Sequence, residues 1–222
     1  KLIIKTKIYF LLFLITAIGC SKKHKIIDKP IEFGELRIQL TLDYMNSRYG
    51  IIQDSPVIEP KMVVIHWTAI PTFEKSFGAF VNTQIGNHRT KINTASQLNV
   101  SSQFMVDLDG TIYRLMPENY MARHVIGLNH CTIGIENVGG TADTPLTEKQ
   151  VESNIWLVTY LKSKYDIDYV IGHFEYTNFE NHELWLEKDK NYRTIKTDPG
   201  KDFLSKVKKA TEGLGFKETP AK

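Results

Sequence analysis

Hydrophobic and polar positions along the chain follow two periods. Leu36, Leu40, Tyr44 and Met45 recur at helical spacing, which predicts an amphipathic helix over Leu36–Tyr49 with Gly50 as its stop. Pro60 then opens a compact apolar run, Met62–Ile65, that reads as a buried strand and delivers His66 at its C-terminal end. A second helix fits Thr72–Val81, and the polar stretch Gly86–Asn99 reads as a surface loop. Gln103–Asp107 and Thr111–Leu115 flank Leu108-Asp109-Gly110, and Asp-Gly between β-prone runs predicts a hairpin. Thr132–Glu136 is a further strand, closed by Gly139-Gly140. The clearest helix follows: Thr147 and Gln150 suit a capping box, Leu146 and Val151 a staple, and Val151, Ile155, Val158 and Leu161 a buried stripe. Tyr169-Val170-Ile171 predicts another strand, again ending at a histidine, His173. Pro199 is placed to open a last helix, Lys201–Thr211, with Phe203, Val207 and Ala210 inward. Strands interleaved with helices predict an α/β layer structure in a single domain.

The first twenty residues stand apart from that pattern. Lys1, Lys5 and Lys7 precede the apolar run Ile8–Gly19, too short for a spanning helix but suited to a secretory leader. It ends in Ala17-Ile18-Gly19-Cys20, which resembles the lipobox of bacterial lipoproteins, in which the cysteine is diacylated and the chain is cut before it. An uncleaved anchor and an ordinary signal peptide cut near Gly19 are the alternatives. The expected organisation is a leader over 1–19, a lipidated tether over 20–34 beginning at Cys20, and one catalytic domain over 35–222. His24, within the polar and basic Ser21–Pro30, reads as a solvated tether residue. The lipid would fix the protein to a cell-envelope membrane, the outer membrane where the organism has one.

Composition narrows the class. At 42% hydrophobic and 24% charged residues, the 222-residue chain can bury a core, which excludes a disordered tail and a disulfide-stapled mini-protein. The formal charge of +3 resides in the leader: residues 1–19 carry three lysines and no acid, so the remainder balances at zero. That gives no support for a nucleic-acid partner. With Cys20 acylated, Cys131 is the one thiol left and reads as a small core residue, with zinc ligation as the weaker alternative.

Two histidines leave the ends of two apolar strands, His66 and His173. One such histidine is more often structural; a pair at neighbouring strand ends marks one sheet edge, where metal or catalytic sites gather. Neither HExxH nor a cysteine pair is present. A third ligand has to come from elsewhere, and Lys196-Thr197-Asp198-Pro199-Gly200 offers it, although Asp before Pro is also a common helix N-cap.

The ordered series VIHWTA, FMVDLDGTIYRL, IGIENVGG, IGH and KTDPG resembles the zinc-dependent N-acetylmuramoyl-L-alanine amidases, a family that also includes animal peptidoglycan-recognition proteins. The likeness runs from about Lys61 to Phe203. It implies a central, mostly mixed β-sheet flanked by helices, with a zinc site at the strand ends. Carried over, the zinc ligands are His66, His173 and Asp198, the active-site glutamate is Glu136, and the catalytic lysine is Lys196. His124, in YMARHVIG with Arg123, stands where relatives carry a histidine facing the substrate groove, so Arg123, His124 and the ligand-adjacent Trp67 are the expected substrate contacts. The implied substrate is peptidoglycan or its muropeptides, cut between N-acetylmuramic acid and L-alanine by a monomer. A non-cleaving recognition module, or an amidase used as a toxin or lysin, are the alternatives. His88, His130 and His182 have no motif support and read as surface or local hydrogen-bonding residues. One departure stands out: His173 to Asp198 is 25 positions, whereas several bacterial relatives close that gap in about ten. The aromatic-rich stretch 174–195 is open to three readings: a groove wall, a cap on the zinc site, or an excursion without contact.

Overall fold

The computed structural model describes residues 24–86 and 95–221. The expected leader over 1–19, Cys20, His88 and most of the stretch expected as a loop, Gly86–Asn99, lie outside the described residues. No described helix is long and apolar enough to cross a membrane.

Six strands form one sheet: β1 (Ile26–Asp28), β2 (Met62–Trp67), β3 (Phe104–Val106), β4 (Ile112–Arg114), β5 (Thr132–Asn137) and β6 (Tyr169–Gly172). Their order is β1-β4-β3-β5-β2-β6, parallel throughout except at the β3–β4 hairpin, so the sheet is mixed as expected. Among the described residues the α-helices are α1 (Glu35–Tyr44), α2 (Phe73–Val81), α3 (Glu148–Lys164) and α4 (Lys201–Ala210).

β2 is apolar at consecutive positions because both of its faces are covered, the usual situation of a central parallel strand. Val63 and Ile65 point to one side, where Val158 and Leu161 of α3 and Phe203 and Val207 of α4 close over them. Met62 and Val64 point to the other, against Val125, Leu128, Tyr176 and Phe179. Phe73 and Phe80 of α2 extend that second layer over Met105 and Leu115. Strand alternation therefore sends His66 into the second layer. The register pairs His66 with Glu136 across β2–β5 and Ile65 with Gly172 across β2–β6, which brings His173 beside His66 one residue later.

Local signals hold in most places. Thr147 and Gln150 make the reciprocal capping box of α3, and Asp107 to Gly110 makes the hairpin turn, with Gly110 at φ 86°. Cys131 is a buried free thiol whose pKa burial pushes up to about 12, so it is an inert core residue. His182 is hydrogen-bonded locally to the Tyr169 hydroxyl at 3.1 Å.

Four readings are corrected by packing. Part of the stretch expected to be a tether through residue 34 belongs to the fold: Ile26–Asp28 pairs in parallel with β4, and Ile31 is buried. Two β-branched residues satisfy an otherwise open edge of β4, and Arg114 grips Asp28 through two bonds of 2.6 and 3.0 Å. His24 is stacked on Trp156 at 5.5 Å between ring centroids rather than solvated. In α1, Leu36 is 54% exposed and Arg37 takes the inward place. The Arg37 guanidinium donates to the carbonyls of Phe80, Val81 and Asn82, which end α2 without intrahelical partners. After Tyr44 the helix loosens into a π-turn, Met45–Tyr49, and stops at Gly50, φ 74°. In α4, Phe203 and Val207 face inward as expected, but Leu204 joins them and Ala210 is exposed.

His130 sits in the turn before β5 with its ring edge-on to Tyr49, and burial pushes its pKa down to about 4. Below its unfolded value of about 6.5 the unfolded chain binds the extra proton, so this contribution to stability is complete above pH 6.5 and shrinks as pH falls towards 4. Urea unfolding at pH 7 and pH 5 reads it: His130→Phe is expected to reduce the acid-induced loss by on the order of 2 kcal/mol. An unchanged difference between the two pH values would show that His130 titrates normally in the folded chain.

Candidate active site

Three parts of the chain meet at the C-terminal ends of β2 and β6. β2 supplies His66, the turn after β6 supplies His173, and the turn preceding α4 supplies Asp198. The Nδ1 atoms of His66 and His173 are 2.9 Å apart, and Asp198 Oδ2 is 3.1 and 3.0 Å from them. All three residues are buried, at 1%, 5% and 7% exposure. Protons alone serve such a triangle badly. One proton on either Nδ1 cannot satisfy all three contacts, and two protons would face each other. A cation satisfies them together, and two neutral imidazoles with one carboxylate are a zinc donor set that leaves a position open. Tetrahedral zinc with bonds of about 2.0–2.1 Å spaces its ligand atoms about 3.3 Å apart, close to what the side chains show. The residues fit the metal.

Electrostatics point the same way. Burial, then the neighbouring His66 imidazole, pushes His173 down to about 3, and burial also lowers His66. Both rings are therefore neutral at physiological pH, as ligation requires. Burial by itself would raise Asp198, but the neighbouring His173 and His66 rings outweigh it and hold the carboxyl well below the usual carboxylate range.

Glu136 lies directly across from His66 in the β2–β5 register, is 7% exposed, and lines the same cavity of about 250 Å³. Lys196 lines it too, partly buried, and its charge is felt by both imidazoles. The five residues expected to carry the chemistry thus share one pocket.

The expected substrate contacts are placed differently from one another. Trp67 is partly buried on the pocket wall, its ring against Gly140, where a Cβ would fall 2.4 Å from the indole. Gly140 has φ 94°, so both its backbone and the ring's position call for glycine. Arg123 lines the pocket but is 3% exposed, and its guanidinium donates to the carbonyls of Ser96 and Leu98 and to the Tyr192 hydroxyl. It braces the wall. His124 also lines the pocket, largely buried and packed against His66, with His66 Nε2 to His124 Nδ1 at 2.9 Å.

The 174–195 stretch is both wall and structure. Tyr192 and Thr194 reach the pocket, whereas Tyr176 and Phe179 are core residues. Trp185 covers Gly127, and Arg48 ties Glu187 to the π-turn at 2.7 Å. Tyr192 and Thr194 carry no sequence signal beyond belonging to this stretch. Another missed feature had one: Asn137 and Asn154 are polar residues at core positions of a strand and a helix. Asn137 Nδ2 donates to the His66 carbonyl at 2.9 Å, and Asn154 Nδ2 to Asn137 Oδ1 at 2.7 Å, fixing the end of β2 to α3.

Residues 55–201, two-thirds of the chain, match the family model described as N-acetylmuramoyl-L-alanine amidase. The chain belongs to that amidase family. Among solved structures it is similar to the N-acetylmuramoyl-L-alanine amidase LysC from Clostridium intestinale URNW, at 22% identity and TM-score 0.50, covering 87% of this chain and 99% of that one. It is also similar to the endolysin amidase LysCS of the same organism, at 21% identity and TM-score 0.48, covering 87% and 97%. A further similar structure is human PGRP-IBETAC in complex with glycosamyl muramyl pentapeptide, at 17% identity and TM-score 0.48, covering 75% and 88%. A comparison with curated proteins finds no match.

For this amidase fold the Gly140–Trp67 contact makes a direct test. Gly140→Ala adds a Cβ at positive φ against the indole, and is expected to cost about 2 kcal/mol or more. Thermal unfolding together with tryptophan fluorescence measures it, and an unaltered melting temperature with an unaltered spectrum would contradict the packing described.

Proposed function

We propose that this protein is a zinc-dependent amidase that hydrolyses the amide between the lactyl group of N-acetylmuramic acid and L-alanine in peptidoglycan or its muropeptide fragments. The observation that carries this reading is the convergence of His66 Nδ1, His173 Nδ1 and Asp198 Oδ2 at 2.9–3.1 Å, with Glu136 and Lys196 in the same cavity. Zinc held by those atoms would act as a Lewis acid on the scissile carbonyl and bring the pKa of a bound water to about 7.

The chain's own groups have distinct tasks. The Glu136 carboxylate takes a proton from the attacking water as the new O–C bond forms, and returns it to the departing alanine nitrogen as the C–N bond breaks. The products are the muramyl lactyl carboxylate and a free peptide amine. The Lys196 ammonium supplies positive charge where the carbonyl oxygen becomes negative, and contributes most when that charge is fully developed. Burial of the site keeps the local dielectric low and strengthens both effects. A full donor set with an adjacent carboxylate favours cleavage over binding alone.

The N-terminal sequence supports a matching compartment in this reading: an exported chain acylated at Cys20 faces the cell wall. The mass of the N-terminal peptide from purified protein tests it, an acylated Cys20 being the expected result.

Mass spectrometry of muropeptides incubated with purified protein is expected to show free stem peptide and peptide-free glycan with zinc, and neither with a chelator. Zinc and muropeptide binding without release would replace the amidase with a recognition module. Glu136→Gln is expected to lower kcat by about 10²–10⁴-fold while zinc content stays the same. Turnover at the original rate would remove Glu136 from the proton transfer. Lys196→Met is expected to lower kcat by on the order of 10²-fold with KM little changed; a rise confined to KM would make Lys196 a binding residue only.

A further inference from the structure

We propose that His124 is a positioning residue for the metal site, its Nδ1 accepting the Nε2–H of His66 and so holding His66 in the tautomer and orientation that leave the Nδ1 lone pair free for zinc. The inference rests on reading His66, His173 and Asp198 as zinc ligands.

The tautomers follow from the contacts. His66 Nε2 is 2.9 Å from His124 Nδ1, and His124 Nε2 is 3.1 Å from Thr132 Oγ1. A proton can run along this chain in two ways. In one, His124 donates to His66, which leaves a proton on His66 Nδ1, pointing at His173 and Asp198. In the other, Thr132 Oγ1 accepts from His124 Nε2–H, His124 Nδ1 accepts from His66 Nε2–H, and His66 Nδ1 is bare. Only the second is compatible with a cation in the triangle. A ligating histidine commonly has its remote N–H fixed by an acceptor of this kind, usually a carboxylate or carbonyl. Here the acceptor is a second imidazole, set nearly perpendicular to the first, at 88° with centroids 5.0 Å apart.

The surroundings hold that imidazole in place. Asn129 Oδ1 accepts from the backbone N–H of His124 and of Val125, at 2.9 and 2.8 Å, and Asn129 Nδ2 donates to Tyr49 at the end of the π-turn. The ring itself lies on bare backbone. A Cβ at Gly134 would come within 3.0 Å of His124 Cγ and Nδ1. A glycine between Ile133 and Ile135 weakens a buried strand, and a close approach of another group is one physical reason for it. At 9% exposure, with both ring nitrogens engaged, His124 has no nitrogen left for a substrate peptide.

The test uses zinc alone as the probe, in competition with a chelating dye, on the full chain. His124→Leu removes the acceptor and is expected to raise the zinc Kd about 10–100-fold. His124→Asn puts an amide oxygen near the place of Nδ1 and is expected to restore affinity to within about threefold of the parent. Gly134→Ala keeps His124 but presses on its ring, and is expected to weaken zinc by up to about tenfold. It carries the test if the leucine variant does not fold. Thermal melts of the metal-free proteins, expected to coincide, separate ligand positioning from a general loss of structure. Zinc affinities unchanged in both His124→Leu and Gly134→Ala would overturn the proposal, as would a rise in KM for muropeptide at unchanged zinc affinity, which would return His124 to substrate contact. Failure of the zinc-loaded parent to cleave muropeptides would remove the amidase reading and leave this one to be decided by the zinc affinities.

Discussion

His66, Glu136 and His173 share one face of the sheet because β2 pairs in parallel with β5 and β6 in a single register. Everything at the site depends on that alignment. A one-residue slip of β2 would turn His66 into the layer under α3 and α4 and bring Ile65 to the pocket. The register is held from both sides by apolar alternation, Val63 and Ile65 against one layer and Met62 and Val64 against the other. It is locked at its end by the bond from Asn137 to the His66 carbonyl. Burial of the core and placement of the histidines are thus one constraint.

Bringing two imidazoles and a carboxylate together out of water is costly unless their polar atoms are used. The fold meets this with a hydrogen-bonded layer behind the site: Tyr49, Asn129, His124 and Thr132 on one side, Asn137, Asn154 and Gln150 on the other. Such networks are rigid when every member is satisfied. They also connect remote parts of the chain. Tyr49 belongs to the first helical segment and Asn154 to α3, so the pocket floor rests on elements well separated in sequence.

The 174–195 stretch and β1 show how surface additions become structural. The first places Tyr176 and Phe179 in the core and ends as the pocket wall that carries Tyr192 and Thr194, just before Lys196. The second covers the open edge of β4 and is bound by the Arg114–Asp28 pair. In this way a segment that reads as polar and basic becomes part of the sheet. Pairing with β4 decides the matter: Ile26 is partly buried there, while Ile27 stays exposed at the sheet edge.

Local chemistry made much of this legible from the sequence. The capping box of α3, the Asp-Gly hairpin, the apolar run of β2 and the histidines ending two strands follow from short-range rules that tertiary context did not override. The family resemblance then assigned His66, His173, Asp198, Glu136 and Lys196, and the fold brings all five to one pocket. Other features depend on contacts between distant segments. Arg37 rather than Leu36 faces inward because the end of α2 needs donors there. Arg123 braces a wall and His124 backs a ligand because of what packs around them. A sequence specifies periodicity, caps and residue chemistry, each set within a few residues of itself. Which partner satisfies a buried polar atom is settled only when segments tens of residues apart are packed to within 3 Å.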